Sequence, residues 1–196
     1  MLGLVLCGGE SRRMGHDKGL IKPDGFTYVW AQTASDKLAS LSLPVVISVN
    51  RDQYPNYCNF FSLDQLVPDS PHLPLKGPLY GLLSVHEQFP AEDLLVIACD
   101  MPLLESFIIK ELILLRVKQP EAGAYIFSNK GEPEPLCAIY TAKALATVFP
   151  LYQKGQVAKQ SMKYLLGQIN YLSIPITVEQ EKYFQNFNSH ASLNGR

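Results

Sequence analysis

A short segment near the amino terminus combines glycines and cations in a pattern suited to phosphate binding. Residues 7–18 read C-G-G-E-S-R-R-M-G-H-D-K and directly follow a short apolar run. The adjacent glycines Gly8 and Gly9 let the backbone approach a polyanion closely and donate N–H groups to it. Arg13 and Lys18 would add charge-assisted hydrogen bonds to phosphate oxygens. The other interpretation is an ordinary tight turn with solvated cations, since neither the Walker pattern nor G-x-G-x-x-G is present.

A carboxylate stands at the end of the strongest predicted strand. Asp100 follows the apolar residues 94–99, where an acidic side chain has no evident structural reason. Mg²⁺ is typically bound by one or two carboxylates together with substrate phosphates, and a single aspartate fits that pattern. Alternatively, Asp100 caps the helix that is predicted to follow Pro102.

Two more polar residues follow predicted strands. Asn50 comes after the strand predicted at residues 44–49, and its amide could bind a nucleotide or cap a turn. Asp69 follows the weaker strand predicted at residues 64–67. It could hold a base or ribose, lie near the metal, or be a surface acid. Four prolines in residues 68–78 predict a stiff surface loop around it.

These residues depend on an alternation of strands and helices for their positions. The predicted strands are residues 2–7, 44–49, 64–67, 94–99, 122–127, 136–140 and 169–174. The predicted helices are residues 28–41, 79–88, 103–118, 141–149 and 156–166, and residues 131–135 are predicted to form a loop. This order predicts one α/β domain over residues 1–196, with a doubly wound, mostly parallel, Rossmann-like sheet flanked by helices. Ligands of such sheets bind beyond the carboxyl ends of the strands.

Composition excludes several classes of partner. The net charge is −1, with 17 basic and 18 acidic residues, so a nucleic-acid partner is not expected. No apolar run approaches the roughly 20 residues of a membrane helix, so no membrane association is expected. The four cysteines lack metal-ligand spacing, and Cys7, Cys99 and Cys137 lie in apolar runs. We therefore expect buried thiols and a cytoplasmic protein. The protein is also expected to be a monomer.

The whole string at residues 6–18 resembles the signature L-x-G-G-x-S-x-R-M-G-x-D-K of the molybdenum cofactor guanylyltransferase (MobA) family. The likeness continues at Asn50 and Asp69, in G-P-L-x-G at residues 77–81, C-D-x-P at 99–102 and P-L-x-A-x-Y at 135–140. Two departures stand out. Cys7 replaces the usual alanine, and Ser-His at residues 189–190 replaces the Thr-Pro that follows the N-x-N of residues 186–188.

The resemblance implies a nucleotidyltransferase-type fold and the transfer of GMP from GTP to molybdopterin, with release of pyrophosphate and a requirement for Mg²⁺. It implies that Lys18, Arg13 and Asp100 are catalytic and that Asp100 binds the metal. The residues that it implies for nucleotide binding are Leu6, Cys7, Gly8, Gly9, Lys18, Asn50, Asp69 and Asp100. Other cofactor-biosynthesis proteins or molybdoenzymes are possible further partners.

Three other functions remain open at this point. A cytidylyltransferase of the same cofactor typically begins with L-A-A-G, and Gly9 argues against that class. A second glycine also leaves room for a purine against the loop. Sugar-phosphate nucleotidyltransferases have a longer loop before a P-K pair, which Asp17-Lys18 does not match. A nucleotide-binding module without catalysis would have less need of Lys18 and Asp100.

Overall fold

Seven strands form one sheet in the computed structural model of the protein, which describes residues 1–8, 17–22 and 27–187. The strands are β1 (Leu2–Leu6), β2 (Val45–Val49), β3 (Leu66–Pro68), β4 (Leu94–Ala98), β5 (Ala124–Asn129), β6 (Glu132–Tyr140) and β7 (Tyr171–Pro175). The helices are α1 (Trp30–Ala39), α2 (Tyr54–Tyr57), α3 (Pro78–Gln88), α4 (Ser106–Lys118), α5 (Ala142–Gln153) and α6 (Met162–Leu166). Short 3₁₀ turns cover Lys18–Leu20, Leu63–Gln65 and Glu181–Phe184.

The strand order is β3-β2-β1-β4-β6-β5-β7. Strands β3, β2, β1 and β4 run parallel to one another, β6 is antiparallel to both of its neighbours, and β7 is parallel to β5. The prediction of a mostly parallel, doubly wound α/β sheet is therefore confirmed.

Helices cover both faces of the sheet, which explains why the central strands are apolar throughout. On β1, Val5 points into a core shared with Leu38 of α1 and Ile108 of α4. The neighbouring Leu4 points into the opposite core, with Leu82 of α3 and Leu145 of α5. All six of these side chains have no exposed surface. Burial on both faces fixes β1 rigidly, and β1 leads into the glycine-containing loop.

The predicted loop at residues 131–135 is wrong, because β6 already begins at Glu132. Among the described residues its first residues pair with β5 alone, and the register shifts between Ile126 and Phe127. This extension runs past the end of β4, whose pairing with β6 reaches only Cys137. Pro133 and Pro135 can lie in such a stretch because a strand without a second partner does not need every N–H.

Two helices differ most from the sequence-based predictions. The helix predicted at residues 156–166 covers only Met162–Leu166, because Ser161 caps it by accepting a hydrogen bond from the Tyr164 N–H. Helix α5 instead continues through Pro150 to Gln153. The buried Tyr152, whose hydroxyl oxygen accepts a hydrogen bond from Gln168, favours this last turn despite the proline.

Cys7, Cys99 and Cys137 are buried free thiols, as expected, whereas Cys58 is exposed. Within residues 1–8, 17–22 and 27–187, no helix has both the length and the apolar character needed to cross a membrane.

Candidate active site

The polar residues singled out from the sequence meet at the carboxyl edge of the parallel strands. Asp69, Asn50, Gly8 and Asp100 follow β3, β2, β1 and β4 respectively, which is also the order of these strands in the sheet. Neighbouring strands lie about 4.8 Å apart, so this row spans roughly 14 Å. An elongated ligand such as a nucleotide would fit along it.

Lys18 and Asp100 form an ion pair at one end of the row. The Lys18 Nζ atom lies 3.1 Å from the Asp100 Oδ2 atom, and the two side chains are 22% and 19% exposed. Helix α4 begins at Ser106 with Glu105 in the capping position, so the idea that Asp100 caps it is wrong. The two charged groups lie at a partly solvated surface.

The backbone at the end of β1 is already hydrogen-bonded within the fold. The N–H groups of Cys7 and Gly8 both donate to the Ser48 carbonyl, at 3.0 and 3.2 Å. This corrects the expectation that the Gly8 N–H is directed at a phosphate. The Leu6 carbonyl accepts from the Cys99 N–H, so Leu6 and Cys7 belong to the sheet frame. Gly9 and Arg13 lie outside the described residues.

Gly8 matters through the side chain that it lacks. A Cβ atom there would lie 3.7 Å from the backbone nitrogen of Asn50 and 3.9 Å from both carboxylate oxygens of Asp69. These are ordinary contact distances, so the fold has room for a methyl group at this position. The same methyl group would occupy the space that separates the ends of three strands.

Asn50 has the capping role that was the alternative to nucleotide binding. Its Oδ1 atom accepts from the Gln53 N–H at 2.8 Å, and its own N–H donates to Gln53 Oε1 at 3.1 Å. These reciprocal bonds close the turn between β2 and α2. Asn50 nevertheless lines the pocket described below, so the two roles are compatible.

Asp69 is a buried acid with an unused oxygen. Its side chain is 8% exposed, and no described residue donates a hydrogen bond to its Oδ1 atom. The interpretation of Asp69 as a surface acid is therefore wrong. Burial raises the pKa of Asp69 to about 6, and the charge of Arg51 opposes part of that rise. A raised pKa of this kind is often found where a buried carboxylate has a functional role.

The loop that carries Asp69 lies at the surface, as predicted, with its four prolines exposed, but it is also anchored to helix α3. The Tyr80 hydroxyl donates to the Ser70 carbonyl at 2.5 Å, and the Ser70 N–H donates to Ser84 Oγ at 2.9 Å. Leu73 and Leu75 are buried in the core on the α3 face of the sheet. Helix α3 therefore holds the loop in place.

A pocket of about 330 Å³ opens beside this loop. It is lined by Gly8, Asn50, Asp52, Asp69, Leu75, Lys76, Gly77 and Tyr80. Gly77 has φ +66°, a conformation that favours glycine, and it starts helix α3. The pocket combines one apolar wall with polar groups, as small-ligand sites do.

A larger cavity of about 410 Å³ lies at the opposite edge of the sheet, near Arg116, Gly123 and Asn170. Some of its polar groups pair with each other: Arg116 with Asp93, and the Gly123 N–H with Asn170. Among the described residues, the buried polar atoms without a partner lie elsewhere, at Asp17, Trp30, Ser48, Asp69 and His86. The smaller pocket is the better candidate because it contains one of them.

Three residues beneath the site were not predicted from the sequence, namely Asp17, Gln53 and Tyr57. Gln53 Nε2 donates to the Cys7 carbonyl at 3.2 Å, and the Tyr57 hydroxyl donates to Asp17 Oδ1 at 3.0 Å. The only available signal was the position of Asp17 immediately before Lys18. Nothing in the sequence marks Gln53 or Tyr57 as neighbours of that segment.

The carboxyl-terminal segment also reaches the site. The Phe187 N–H donates to the Asp100 carbonyl at 3.0 Å, and the Phe187 ring packs edge-on against Trp30. Asn186 is exposed beside this tether, and Asn188 lies outside the described residues.

A magnesium ion at Asp100 would need ligands from the substrate. In the part of the chain that is described, no group of three His, Cys, Asp or Glu residues could hold a metal. A single partly exposed carboxylate still fits Mg²⁺, which commonly takes its remaining ligands from phosphate and water.

Comparison with known proteins extends the likeness to most of the chain. Residues 3–168 match the family described as "MobA-like NTP transferase domain". A probable molybdenum cofactor guanylyltransferase of Methanothermobacter thermautotrophicus is 31% identical, covering 96% of this chain and 95% of that protein. The molybdenum cofactor biosynthesis bifunctional protein of Synechocystis is 34% identical over 156 residues. That match covers 80% of this chain but 42% of the relative, so the chain spans less than half of its length.

Solved structures share the fold at low sequence identity. Molybdopterin-guanine dinucleotide biosynthesis protein A from Archaeoglobus fulgidus superposes with a TM-score of 0.76 at 20% identity, covering 98% of this chain and 95% of the other. The 2-C-methyl-D-erythritol 4-phosphate cytidylyltransferase of Francisella tularensis gives 0.65 at 12% identity, with 98% and 95% coverage. The strand-end site, the fold and the match over residues 3–168 lead to one conclusion: the chain belongs to the MobA-like NTP transferase family.

Proposed function

We propose that the protein transfers GMP from GTP to molybdopterin in the cytoplasm, with Mg²⁺, releasing pyrophosphate and forming the guanine dinucleotide form of the cofactor. One observation carries the proposal. The Lys18–Asp100 pair and the pocket with the buried Asp69 lie in one row at the ends of four parallel strands. Relatives named molybdenum cofactor guanylyltransferase, which match nearly the whole chain, support the choice of substrates.

The transfer would need charge neutralisation more than proton removal. A phosphate oxygen of the acceptor forms a bond to the α-phosphorus of GTP, and the bond from that phosphorus to the bridging oxygen of pyrophosphate breaks. The acceptor phosphate is already ionised near neutral pH, because its second pKa is about 6. Lys18 would bind the phosphate oxygens on which negative charge builds up. A dedicated general base is not required.

Asp100 would hold Mg²⁺ together with phosphate oxygens of the nucleotide. The metal, when bound, would neutralise phosphate charge and align the triphosphate for in-line displacement. In the structure the Asp100 carboxylate accepts a hydrogen bond from Lys18. Lys18 and Asp100 thus lie close enough together to act on the same phosphate group.

Asp69 would select the base from inside the pocket. Guanine offers two adjacent donors, N1–H and N2–H, and an ionised carboxylate offers two acceptors. Its Oδ1 atom is buried with no described donor, so it would gain a partner when guanine binds. Adenine and cytosine lack that pair of donors, and a site left with an unpaired buried group discriminates strongly against them.

The test is a pyrophosphate-release assay with purified protein, Mg²⁺, molybdopterin and each of the four nucleoside triphosphates in competition. We expect efficient release with GTP, dependent on molybdopterin, and poor release with CTP or ATP. The same assay is run with Asp100→Asn, which should lower the rate of release. Its matched control is Asp64→Asn, which changes an exposed aspartate. Equal or better use of CTP would show a cytidylyltransferase. Binding of GTP without pyrophosphate release would show a nucleotide-binding module.

A further inference from the structure

A buried hydrogen-bond network lies under the segment that presents Lys18. Asp17 is the first residue before the 3₁₀ turn Lys18–Leu20, and its Oδ1 atom accepts the Gly19 N–H at 3.0 Å. The same oxygen accepts the Tyr57 hydroxyl, also at 3.0 Å. The backbone on both sides of Lys18 is therefore attached to one carboxylate oxygen.

The second bond comes from a different part of the chain. Tyr57 belongs to α2, has no exposed surface and stacks on Phe61, with ring centroids 5.9 Å apart. Burial raises the pKa of Tyr57 strongly, so the hydroxyl keeps its proton and remains a donor. Gln53, one helical turn earlier, donates to the Cys7 carbonyl. Residues Gln53 and Tyr57 thus join the end of β1 to the Lys18 turn.

The fit around Gly19 shows that this contact is tight. A Cβ atom on Gly19 would overlap the Tyr57 hydroxyl oxygen, and it would come within 3.3 Å of Cys7 Sγ. Only a residue without a side chain allows the turn to approach α2 so closely. The position of the turn is therefore set by direct contact with Tyr57.

We propose that Asp17 is a positioning residue whose carboxylate, held by the Tyr57 hydroxyl, fixes the turn that directs Lys18 toward Asp100. The interaction needs no ligand, because it exists between residues of the chain alone. Its effect on turnover rests on the function proposed above, whereas its effect on the placement of Lys18 does not. The two can therefore be tested separately.

The decisive variant is Tyr57→Phe, which removes one hydroxyl and keeps the ring that stacks on Phe61. Tyr125→Phe is the matched control, because Tyr125 is equally buried and its hydroxyl donates to the Gln119 carbonyl elsewhere in the fold. The probe is acetic anhydride at low concentration without nucleotide. Peptide mass mapping gives the acetylation rate of Lys18 relative to the exposed Lys143. Thermal unfolding shows that each variant is folded.

We expect Tyr57→Phe to change the relative acetylation rate of Lys18 at least about threefold, and Tyr125→Phe to leave it at the wild-type value. The kcat with GTP should fall roughly five- to tenfold, the effect of losing one hydrogen bond, with little change in KM. Lys18 would act mainly on the negative charge that builds up in the transition state. A loosened turn should therefore lower kcat before it changes KM.

A second pair of variants covers the case in which Tyr57→Phe does not fold. Asp17→Ala should change Lys18 acetylation as Tyr57→Phe does. Asp17→Asn keeps an acceptor oxygen and should lie between Asp17→Ala and the wild type. An unchanged Lys18 acetylation rate in both Tyr57→Phe and Asp17→Ala overturns the proposal, whatever the kinetics. If the wild type fails to turn over GTP, the proposed function fails, but the acetylation result still decides the role of Asp17.

Discussion

The Nζ atom of Lys18 lies 3.1 Å from the Oδ2 atom of Asp100, although 82 positions separate the two residues in the chain. The sheet order brings them together, because β4 pairs with β1 directly and Leu6 lies opposite Ala98. Each side chain projects from the segment that follows one of these two strands. Any change that shifts the register of β1 and β4 would therefore separate the two charges.

Lys18→Ala should lower turnover with GTP by at least about 100-fold, the scale lost with one preorganised charge-stabilising group. Lys143→Ala is the matched control, since Lys143 is an exposed lysine at the opposite edge of the sheet. Steady-state kinetics at saturating GTP measure the effect, and thermal unfolding monitors the fold. Near-native turnover by a folded Lys18→Ala protein would remove Lys18 from the catalytic groups.

Asp100→Asn should shift the magnesium dependence of activity to higher concentrations and lower the maximal rate. The amide keeps the shape of the side chain but not the negative charge that a hard cation requires. A magnesium titration of the rate, run beside the exposed control Asp64→Asn, measures the change. A titration curve that matches the wild type would show that Asp100 is not a ligand.

Much of the sheet could be predicted because both of its faces are covered. Burial on both faces produces continuous apolar runs, and the ends of these runs located Asn50, Asp69 and Asp100. The extended part of β6 could not be predicted, since Pro133 and Pro135 normally mark a loop. The register shift, and the lack of a second partner strand within the described part of the chain, explain why prolines are tolerated there.

The surroundings of the candidate residues depend on contacts between distant segments, which a single sequence does not reveal. From the sequence, Asp69 could be a surface acid among prolines. In the structure, hydrogen bonds of Tyr80 and Ser84 in α3 to Ser70 anchor its loop. Tyr57 lies in a short polar segment of the sequence. Its contact with Asp17, 40 positions away, forms only when β1 and β2 pair.

Asp69→Asn should stabilise the protein at neutral pH while impairing nucleotide binding. The folded-state pKa of Asp69 is about 6, above its ordinary value of 3.8. Between these values the folded state binds more protons than the unfolded state, so the free energy of unfolding falls as pH rises through this window. Above it the carboxylate destabilises the fold by up to about 3 kcal/mol, which the amide removes.

Urea unfolding without nucleotide or magnesium tests this at two pH values. The variant should be more stable than the wild type by about 1–3 kcal/mol at pH 7.5, with the difference vanishing near pH 4. Asp64→Asn, an exposed aspartate, should show no such dependence. A stability difference of the same size at both pH values would contradict the burial of a charged Asp69.

Gly8→Ala should fold normally yet bind GTP more weakly. The added methyl group would meet only ordinary contacts, at 3.7 Å from the Asn50 nitrogen and 3.9 Å from the Asp69 oxygens, so little strain is expected. It would, however, fill space between the base pocket and the Lys18–Asp100 pair. The KM for GTP should rise more than kcat falls, because ground-state binding is obstructed. A fall in kcat with unchanged KM would place the methyl group outside the bound nucleotide.

Gly19→Ala should behave differently, because its methyl group would overlap the Tyr57 hydroxyl oxygen. Overpacking of this kind typically costs about 1–3 kcal/mol of unfolding free energy. In a Tyr57→Phe background the hydroxyl is absent, and the nearest remaining atoms lie at 3.2 and 3.3 Å, so the cost of the same methyl group should shrink. A double-mutant cycle by urea unfolding should then give a coupling of about 0.5–3 kcal/mol between the two sites.

The control cycle pairs Gly19→Ala with Tyr125→Phe, whose strand β5 lies three positions from β1 in the sheet. That pair should be additive, since the two sites are about 14 Å apart in the sheet direction alone. If both cycles were additive, Tyr57 would not be the atom-level neighbour that fixes the Lys18 turn, and the positioning role of Asp17 would lose its structural basis.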